Sequence, residues 1–207
     1  MHIPFCKKKC DYCDFVSYSN KEDEIKAYFD AMEREINSYN LENYNVTTIY
    51  IGGGTPSFVD SKYICNIIET IKNKIKENDT SFDNIEITIE ANPGSITEEK
   101  LKMYKKIGIN RISIGLQSTN DILLKQIGRI HTYKDFLNSY ELVKKAGFKN
   151  INVDLIIGLP NQTIENLKSD LTEIKKLNPN HVSIYSLIIE DGTKIQEDIE
   201  KRKIRVT

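Results

Sequence analysis

Six times along its 207 residues the chain passes from an apolar, β-branched run into an amphipathic helical stretch, and this alternation limits the fold more than any other feature. The short opening "MHIPF" precedes "DEIKAYFDAMEREINSY", where Ile25, Tyr28, Phe29, Met32 and Ile36 fall at helical intervals. "VTTIYIGGG" leads into "SKYICNIIETIKNKI", and "NIEITIEANPG", with Ile85, Ile87 and Ile89 alternating with polar neighbours, leads into "TEEKLKMYKKIG". That helix has an N-cap in Thr97 and a stop in Gly108. "NRISIGLQ" is the fourth strand, followed by a helical region from Asn120 to Ala146 interrupted around "GRIHT". "KNINVDLIIGLP" with "TIENLKSDLTEIKKL", and finally "HVSIYSLIIEDGT", complete the series.

Parallel strands need crossovers, and continuous apolar strands between amphipathic helices predict a parallel sheet whose two faces the crossovers bury. Six units suit either an open doubly wound sheet or a curved partial barrel. In both, ligands gather where the strands end and the loops open away from the helices. The residues at those ends therefore bear on function.

With 39% hydrophobic and 29% charged residues, the chain has the balance of a globular domain long enough for one sizeable core. A net charge of −1 supplies no field of one sign to attract nucleic acid or an anionic membrane, and the lysines read as solvated helix faces. No apolar run approaches the roughly 20 residues that span a bilayer, and no leader pattern is visible, so a cytoplasmic protein is expected. In a reducing compartment, clustered cysteines serve metals or redox chemistry more often than disulfides.

Three of the four cysteines, Cys6, Cys10 and Cys13, follow the first strand with spacing C-x3-C-x2-C. Structural zinc asks for a fourth ligand nearby, and His2, His131 and His181 offer no paired motif. Three thiolates suit a [4Fe–4S] cluster with one iron left open. A structural zinc or thiol site on an inert α/β scaffold is the alternative. Cys65, in the apolar stripe of the second helix, reads as a buried structural thiol.

After the second strand stands "GGGTP", Gly52 to Pro56, which brings backbone close to a ligand or simply makes a tight turn, and which lacks the lysine of a phosphate-binding loop. Glu90, Gln117 and Asp154 are polar side chains in or at the ends of the third, fourth and fifth strands. Burial without partners costs about 1–3 kcal/mol each, and recurrence from strand to strand favours one shared polar ligand. Arg129 supplies a fork suited to a carboxylate.

Taken together, "HIPFCKKKCDYCDF", "YIGGGTPS", "EITIEANPG", "RISIGLQSTNDILLKQIGRIHT", "NVDLIIGLPNQT" and "VSIYSLIIEDGT" resemble the radical S-adenosylmethionine enzymes, in particular the oxygen-independent coproporphyrinogen III oxidase family with its heme-chaperone branch. The resemblance implies an α/β fold, a partial (β/α)6 barrel of parallel strands with outer helices. It implies a [4Fe–4S] cluster on Cys6, Cys10 and Cys13, with S-adenosylmethionine chelating the fourth iron and cleaved to a 5′-deoxyadenosyl radical. Gly53, Gly54, Thr55, Glu90, Gln117, Arg129 and Asp154 match the family's S-adenosylmethionine contacts, Tyr12 matches an aromatic near the adenine, and Ile188 is a further adenine-side candidate. The implied partners are heme or a porphyrin, an electron donor such as flavodoxin or ferredoxin, and heme-acceptor proteins.

Two departures stand out. The family's tyrosine upstream of Ile-His-Ile-Pro is absent, and the carboxyl-terminal region that follows the radical core is expected to be missing, so residues 1–207 read as a truncated core domain. The oxidase branch typically continues C-x3-C-x2-C-x-C, whereas Phe15 takes that last position here. By resemblance this favours a heme chaperone over an enzyme that oxidatively decarboxylates coproporphyrinogen III to protoporphyrinogen IX.

Overall fold

The computed structural model describes residues 1–41, 44–76, 82–201 and 203–204. Six strands form one sheet: β1 (His2–Ile3), β2 (Thr48–Gly53), β3 (Glu86–Ala91), β4 (Arg111–Gln117), β5 (Asn150–Ile157) and β6 (His181–Ser186). Each pairs in parallel with the next in the chain, in the order β1-β2-β3-β4-β5-β6, so every connection is a crossover of the same sense. Among the described residues β1 and β6 pair only with β2 and β5, and the barrel is therefore partial and open.

The helices α1 (Ile25–Ser38), α2 (Ser61–Lys76), α3 (Glu98–Ile107), α4 (Asp121–Gln126), α5 (Tyr133–Lys145), α6 (Ile164–Leu177) and α7 (Lys194–Glu200) follow the expected alternation. Their ends obey local chemistry. The Thr97 side chain accepts from Lys100 N–H and Gly108 closes α3 in the left-handed region, while reciprocal capping boxes open α5 (Thr132 with Asp135) and α6 (Thr163 with Asn166). The interruption expected around "GRIHT" is the segment between α4 and α5.

Along β2 to β5, Ile49, Ile51, Ile87, Ile89, Ile112, Ile114, Leu116, Ile151, Val153 and Leu155 share one core with Ile64, Ile67 and Ile68 of α2, Leu101 and Tyr104 of α3, and Phe136, Tyr140 and Val143 of α5. Within each strand these residues alternate with the rest and share one parity. The alternate positions, Tyr50, Glu90, Arg111, Ser113, Gln117, Asn152, Asp154, His181, Ser183 and Tyr185, lie on the opposite face of the pleat. Both faces of the central strands are buried, as expected, but the helices cover only the apolar one: the concave face is polar, with Thr88, Ser113, Gln117 and Asn152 buried on it. Cys65 is half-buried rather than buried, its Sγ 3.9 Å from the Met103 carbonyl of α3. No helix among the described residues is long and apolar enough to cross a membrane.

Candidate functional site

The loop that carries the three cysteines leaves β1 at the carboxyl edge of the sheet. A bridge between Phe5 and Tyr18 closes its base, with Tyr18 N–H donating to the Pro4 carbonyl (2.7 Å) and Cys6 N–H to the Tyr18 carbonyl (2.9 Å). Its far side is clamped at Asp11, whose N–H donates to the Ile127 carbonyl (3.1 Å) and whose carbonyl accepts from Ile195 N–H (2.8 Å). The loop is thus tied to both α4 and α7.

Inside that frame the cysteines join a closed circuit of hydrogen bonds. The Thr55 hydroxyl donates to Cys6 Sγ (3.4 Å), and Asn92 Nδ2 donates to Thr55 Oγ1 (2.9 Å). Asn92 Oδ1 in turn accepts from the Arg129 guanidinium (2.7 Å), which also donates to the Gly115 carbonyl (2.7 Å) and to Cys10 Sγ (3.6 Å). Two thiols are thereby linked through residues at the ends of β2, β3 and β4. The Cys13 sulfur lies 3.9 Å from the hydroxyl of buried Ser17. Burial pushes the Cys6 and Cys13 thiols up from their ordinary value, a cost that bound metal removes.

"GGGT" runs directly along this loop. Gly54 N–H donates to the Ile3 carbonyl (2.8 Å) and Thr55 N–H to the Phe5 carbonyl (2.9 Å). A Cβ on Gly54 would stand 2.9 Å from Cys6 Sγ and 3.0 Å from the Phe5 carbonyl oxygen, so only glycine permits the approach. Gly53 is left-handed at φ +116° and donates its N–H to Glu90 Oε2 (3.1 Å).

On the concave face Glu90 also accepts from the Tyr50 hydroxyl (2.7 Å). Asp154 accepts from Ser113 Oγ (2.9 Å) and Asn152 Nδ2 (2.7 Å), and Asn152 Oδ1 is held by His181 and Ser183. Burial raises both carboxyls above their ordinary values, and Asp154 adds to the shift at Glu90. Two desolvated carboxyls with their remaining lone pairs toward the concavity suit a ligand bearing positive charge and hydroxyl donors.

Gln117 ends β4 at φ 71°, beside an irregularity in the β4–β5 register at Gly115 and Gln117. A non-glycine residue there costs of order 1–3 kcal/mol and is kept only where the surroundings over-determine it. The surroundings here include Asp170 of α6, which is 1% exposed and takes hydrogen bonds from the Ser118 hydroxyl (3.1 Å) and from Thr119 N–H (2.6 Å). Tyr12 interacts with Arg129 through its hydroxyl and packs beside Leu123, Ile127, Leu187, Ile189 and Ile195. Leu187 and Ile189, not Ile188, share that cluster; Ile188 is exposed beyond the end of β6.

The structure therefore brings together Cys6, Cys10, Cys13, Tyr12, Gly54, Thr55 and Arg129 around the loop, with Gly53, Glu90 and Asp154 on the adjoining strands. Sequence reasoning missed Asn92, Tyr50, Ser113, Asn152 and Asp170. Asn92 and Asn152 share the parity of Glu90 and Asp154 along their own strand runs, a signal present in the sequence; Tyr50 and Ser113 join that face through register with Thr88 and Glu90, and Asp170 carries no signal. Among the described residues no three His, Cys, Asp or Glu side chains are grouped to hold one metal ion. One thiolate per iron is a different demand, and three separate thiols, two of them receiving hydrogen bonds on sulfur, meet it.

The sequence matches the Radical SAM superfamily over residues 1–174, and the chain belongs to that superfamily. Membership implies a [4Fe–4S] cluster and S-adenosylmethionine. Within the superfamily the chain is similar to the heme chaperone HemW of Lactococcus lactis subsp. lactis, 42% identical over 93% of this chain and 49% of that protein. The heme chaperone HemW of Bacillus subtilis is 38% identical over 100% of this chain and 54% of its own length. Among solved structures, the coproporphyrinogen III oxidase HemN from Escherichia coli superposes with a TM-score of 0.81 at 27% identity, over 98% of this chain and 51% of that one. The chain spans about half the length of the relatives it matches.

Proposed function

We propose that residues 1–207 are the cofactor-binding core of a heme chaperone: Cys6, Cys10 and Cys13 hold the [4Fe–4S] cluster, and S-adenosylmethionine lies across the strand ends. The chemistry such a pair supplies is one-electron transfer to a bound sulfonium. Arg129 and the Gly53–Thr55 backbone border the amino-acid end of the ligand, Glu90 and Asp154 receive its ammonium and ribose hydroxyls, and Gln117 stands between them. Tyr12 and Ile188 border the adenine. The cationic ligand offsets the two desolvated carboxyls, and Asn92 keeps Thr55 and Arg129 in register with the thiols.

Phe15 is the observation that carries heme delivery over porphyrin oxidation. It occupies the position of the oxidase branch's further cysteine with its side chain 62% exposed, so no fourth thiol stands beside the other three there. The oxidase-like fold supports the second reading, decarboxylation of coproporphyrinogen III.

The experiment is anaerobic reconstitution of the full-length protein, followed by iron and sulfide analysis, titration with S-adenosylmethionine and heme, and assay for protoporphyrinogen IX. Roughly four irons per chain, saturable heme binding and no protoporphyrinogen are expected. Zinc without sulfide rejects the cluster; protoporphyrinogen formation rejects the chaperone in favour of the oxidase.

A further inference from the structure

Lys100 stands where helix chemistry argues against it. It follows Glu98 and Glu99 in the first turn of α3, where the helix dipole favours acids and repels a cation, and where a glutamate or glutamine would complete a capping box with Thr97. A residue that breaks the local rule without a local gain points to a task elsewhere in the molecule. The Lys100 side chain is half-buried and makes no ion pair among the described residues: Asp60, the acid whose charge reaches it, is paired with Lys62 at 3.3 Å. What the ammonium meets instead is backbone. Lys100 Nζ donates to the carbonyls of Ser57 (2.6 Å), Phe58 (3.3 Å) and Ser95 (3.4 Å). The first two belong to the 3-10 turn Pro56–Phe58 directly after Thr55, and the third to the loop after β3. Three donors thus meet three carbonyls, and one charge joins two loops. Burial lowers the Lys100 pKa from its ordinary value, as befits a cation taken from water without an acid beside it.

The two serines whose carbonyls it binds also reach Asn92. Ser95 Oγ donates to the Asn92 carbonyl (2.6 Å), Asn92 N–H donates to Ser57 Oγ (3.3 Å), and the two hydroxyl oxygens lie 2.5 Å apart. Each hydroxyl has one proton. With that of Ser95 committed to the carbonyl, Ser57 donates to Ser95, and a closed ring of hydrogen bonds holds the Asn92 backbone. Ser57 is fully buried, so water does not compete at its hydroxyl. The Asn92 side chain then joins Thr55 to Arg129, and through them Cys6 to Cys10.

We infer that Lys100 is a positioning residue for S-adenosylmethionine: its ammonium, a tethered cation, draws the carbonyls of Ser57, Phe58 and Ser95 together, closes the serine ring and so fixes the Asn92 side chain between Thr55 and Arg129. The inference rests on the S-adenosylmethionine reading given above. Lys100 acts at one remove, through Ser57, Ser95 and Asn92, and its hydrogen bonds include none to a thiol. Without the charge, three carbonyl oxygens would face one another undersatisfied, and their repulsion would part the loop after β2 from the loop after β3. A lysine that only filled space would be replaced by any side chain of its shape. A cation in a cradle of carbonyls can be replaced only by another cation.

The test measures S-adenosylmethionine binding by calorimetry to full-length protein reconstituted anaerobically, with iron content and the urea midpoint of the unreconstituted protein read beside it. Lys100→Met, which keeps an apolar stem and removes the charge, is expected to weaken binding about five- to tenfold while about four irons per chain are retained. Lys100→Ala should lose as much and recover most of it in propylammonium, which supplies the side-chain atoms beyond Cβ, but not in propanol. Propylammonium should do nothing for Lys100→Met, whose stem fills the slot. Asn92→Ala combined with Lys100→Met should bind no worse than Asn92→Ala alone, because both act through one side chain. Wild-type affinity in Lys100→Met overturns the proposal, as do additive losses in the double variant. Recovery of Lys100→Ala by propanol and propylammonium alike, or by neither, also overturns it, since charge is then not what the cradle requires. If the Lys100 variants do not fold, Ser95→Ala decides, because it breaks the ring and leaves the ammonium on its carbonyls: a several-fold loss of affinity at an unchanged urea midpoint supports the proposal, and unchanged affinity overturns it. A wild-type protein that takes up iron and sulfide but binds no S-adenosylmethionine removes the underlying reading, an outcome distinct from variants that bind as the wild type does.

Discussion

His131 sits behind the site and stakes part of the fold's stability on pH. Its ring is 6% exposed, in the segment between α4 and α5, with Nε2 3.2 Å from the Leu116 carbonyl. Burial, and then the Arg129 charge two residues away, lower its pKa from 6.5 to about 4, against the weaker pull of the Leu116 carbonyl and Asp135. The neutral ring with the proton on Nε2 satisfies that carbonyl. Because the folded pKa is depressed, the unfolded chain takes up the proton first: the contribution is fully present above pH 6.5 and is lost as pH falls toward 4. A shift from 6.5 to about 4 corresponds to about 3 kcal/mol when complete, and about 2 kcal/mol of that is already gone at pH 5.

The perturbation is His131→Gln, which keeps an N–H donor for the Leu116 carbonyl and cannot charge. Urea denaturation at pH 7.5 and pH 5 reads the outcome. The variant is expected to be less stable at pH 7.5, from imperfect packing, but to lose about 2 kcal/mol less than the wild type on acidification. Glu90 and Asp154, whose raised pKa values change stability in the opposite sense as pH rises, are common to both proteins and cancel in the difference. Equal pH dependence in the two proteins would refute a buried neutral histidine at this position.

Gly54→Ala should cost about 1–3 kcal/mol in denaturation and reduce iron uptake on reconstitution, because its Cβ meets Cys6 Sγ and two carbonyl oxygens. Gln117→Gly should leave stability unchanged or raise it by about 1 kcal/mol through relief of the left-handed backbone, while weakening S-adenosylmethionine binding by calorimetry; a loss of stability would contradict the strain. Asn92→Ala should break the link between Thr55 and Arg129, lowering S-adenosylmethionine affinity about tenfold at little cost in cluster content; unchanged affinity would show the circuit to be structural only.

Much of the fold was legible because the elements obey local rules. "TEEKLKMYKKIG" announces its own ends in Thr97 and Gly108, and "RISIGLQ" its strand in Ile112, Ile114 and Leu116. The cysteine spacing marked the loop, and polar residues at strand ends marked Glu90 and Asp154. What the apolar runs concealed was their second face. In "RISIGLQ" the isoleucines turn to the helices, whereas Arg111, Ser113 and Gln117 turn inward; in "NINVDLII", Asn152 and Asp154 do the same. Read at period two instead of as continuous hydrophobicity, those strands describe a barrel lined with hydrogen-bonding groups: both faces are buried, as Ser113 and Asn152 show, and what the apolar runs hid was that the inner buried face is polar.

Arg129 shows where such reading ends. As a sequence feature it is a cation after the fourth strand with a fork to offer a carboxylate, but its burial, its bonds to Asn92 and Gly115 and its approach to Cys10 depend on where α4 stops. That stop is itself set at long range: Asp170 of α6 holds Ser118 and Thr119 at the start of the connection, and Asp11 of the cysteine loop bonds the Ile127 carbonyl at its end. A guanidinium already satisfied by an amide and a carbonyl has limited donors left, so its charge acts on the Cys10 sulfur and on a neighbouring ligand together. Substituting Arg129 by Lys would keep the charge and lose the fork, so that one ammonium could serve Asn92 and the Gly115 carbonyl, as one guanidinium nitrogen does now, but would lack the second nitrogen that reaches Cys10. Cluster content should survive that change better than S-adenosylmethionine affinity, and equal losses of both would mean that Arg129 serves the loop alone.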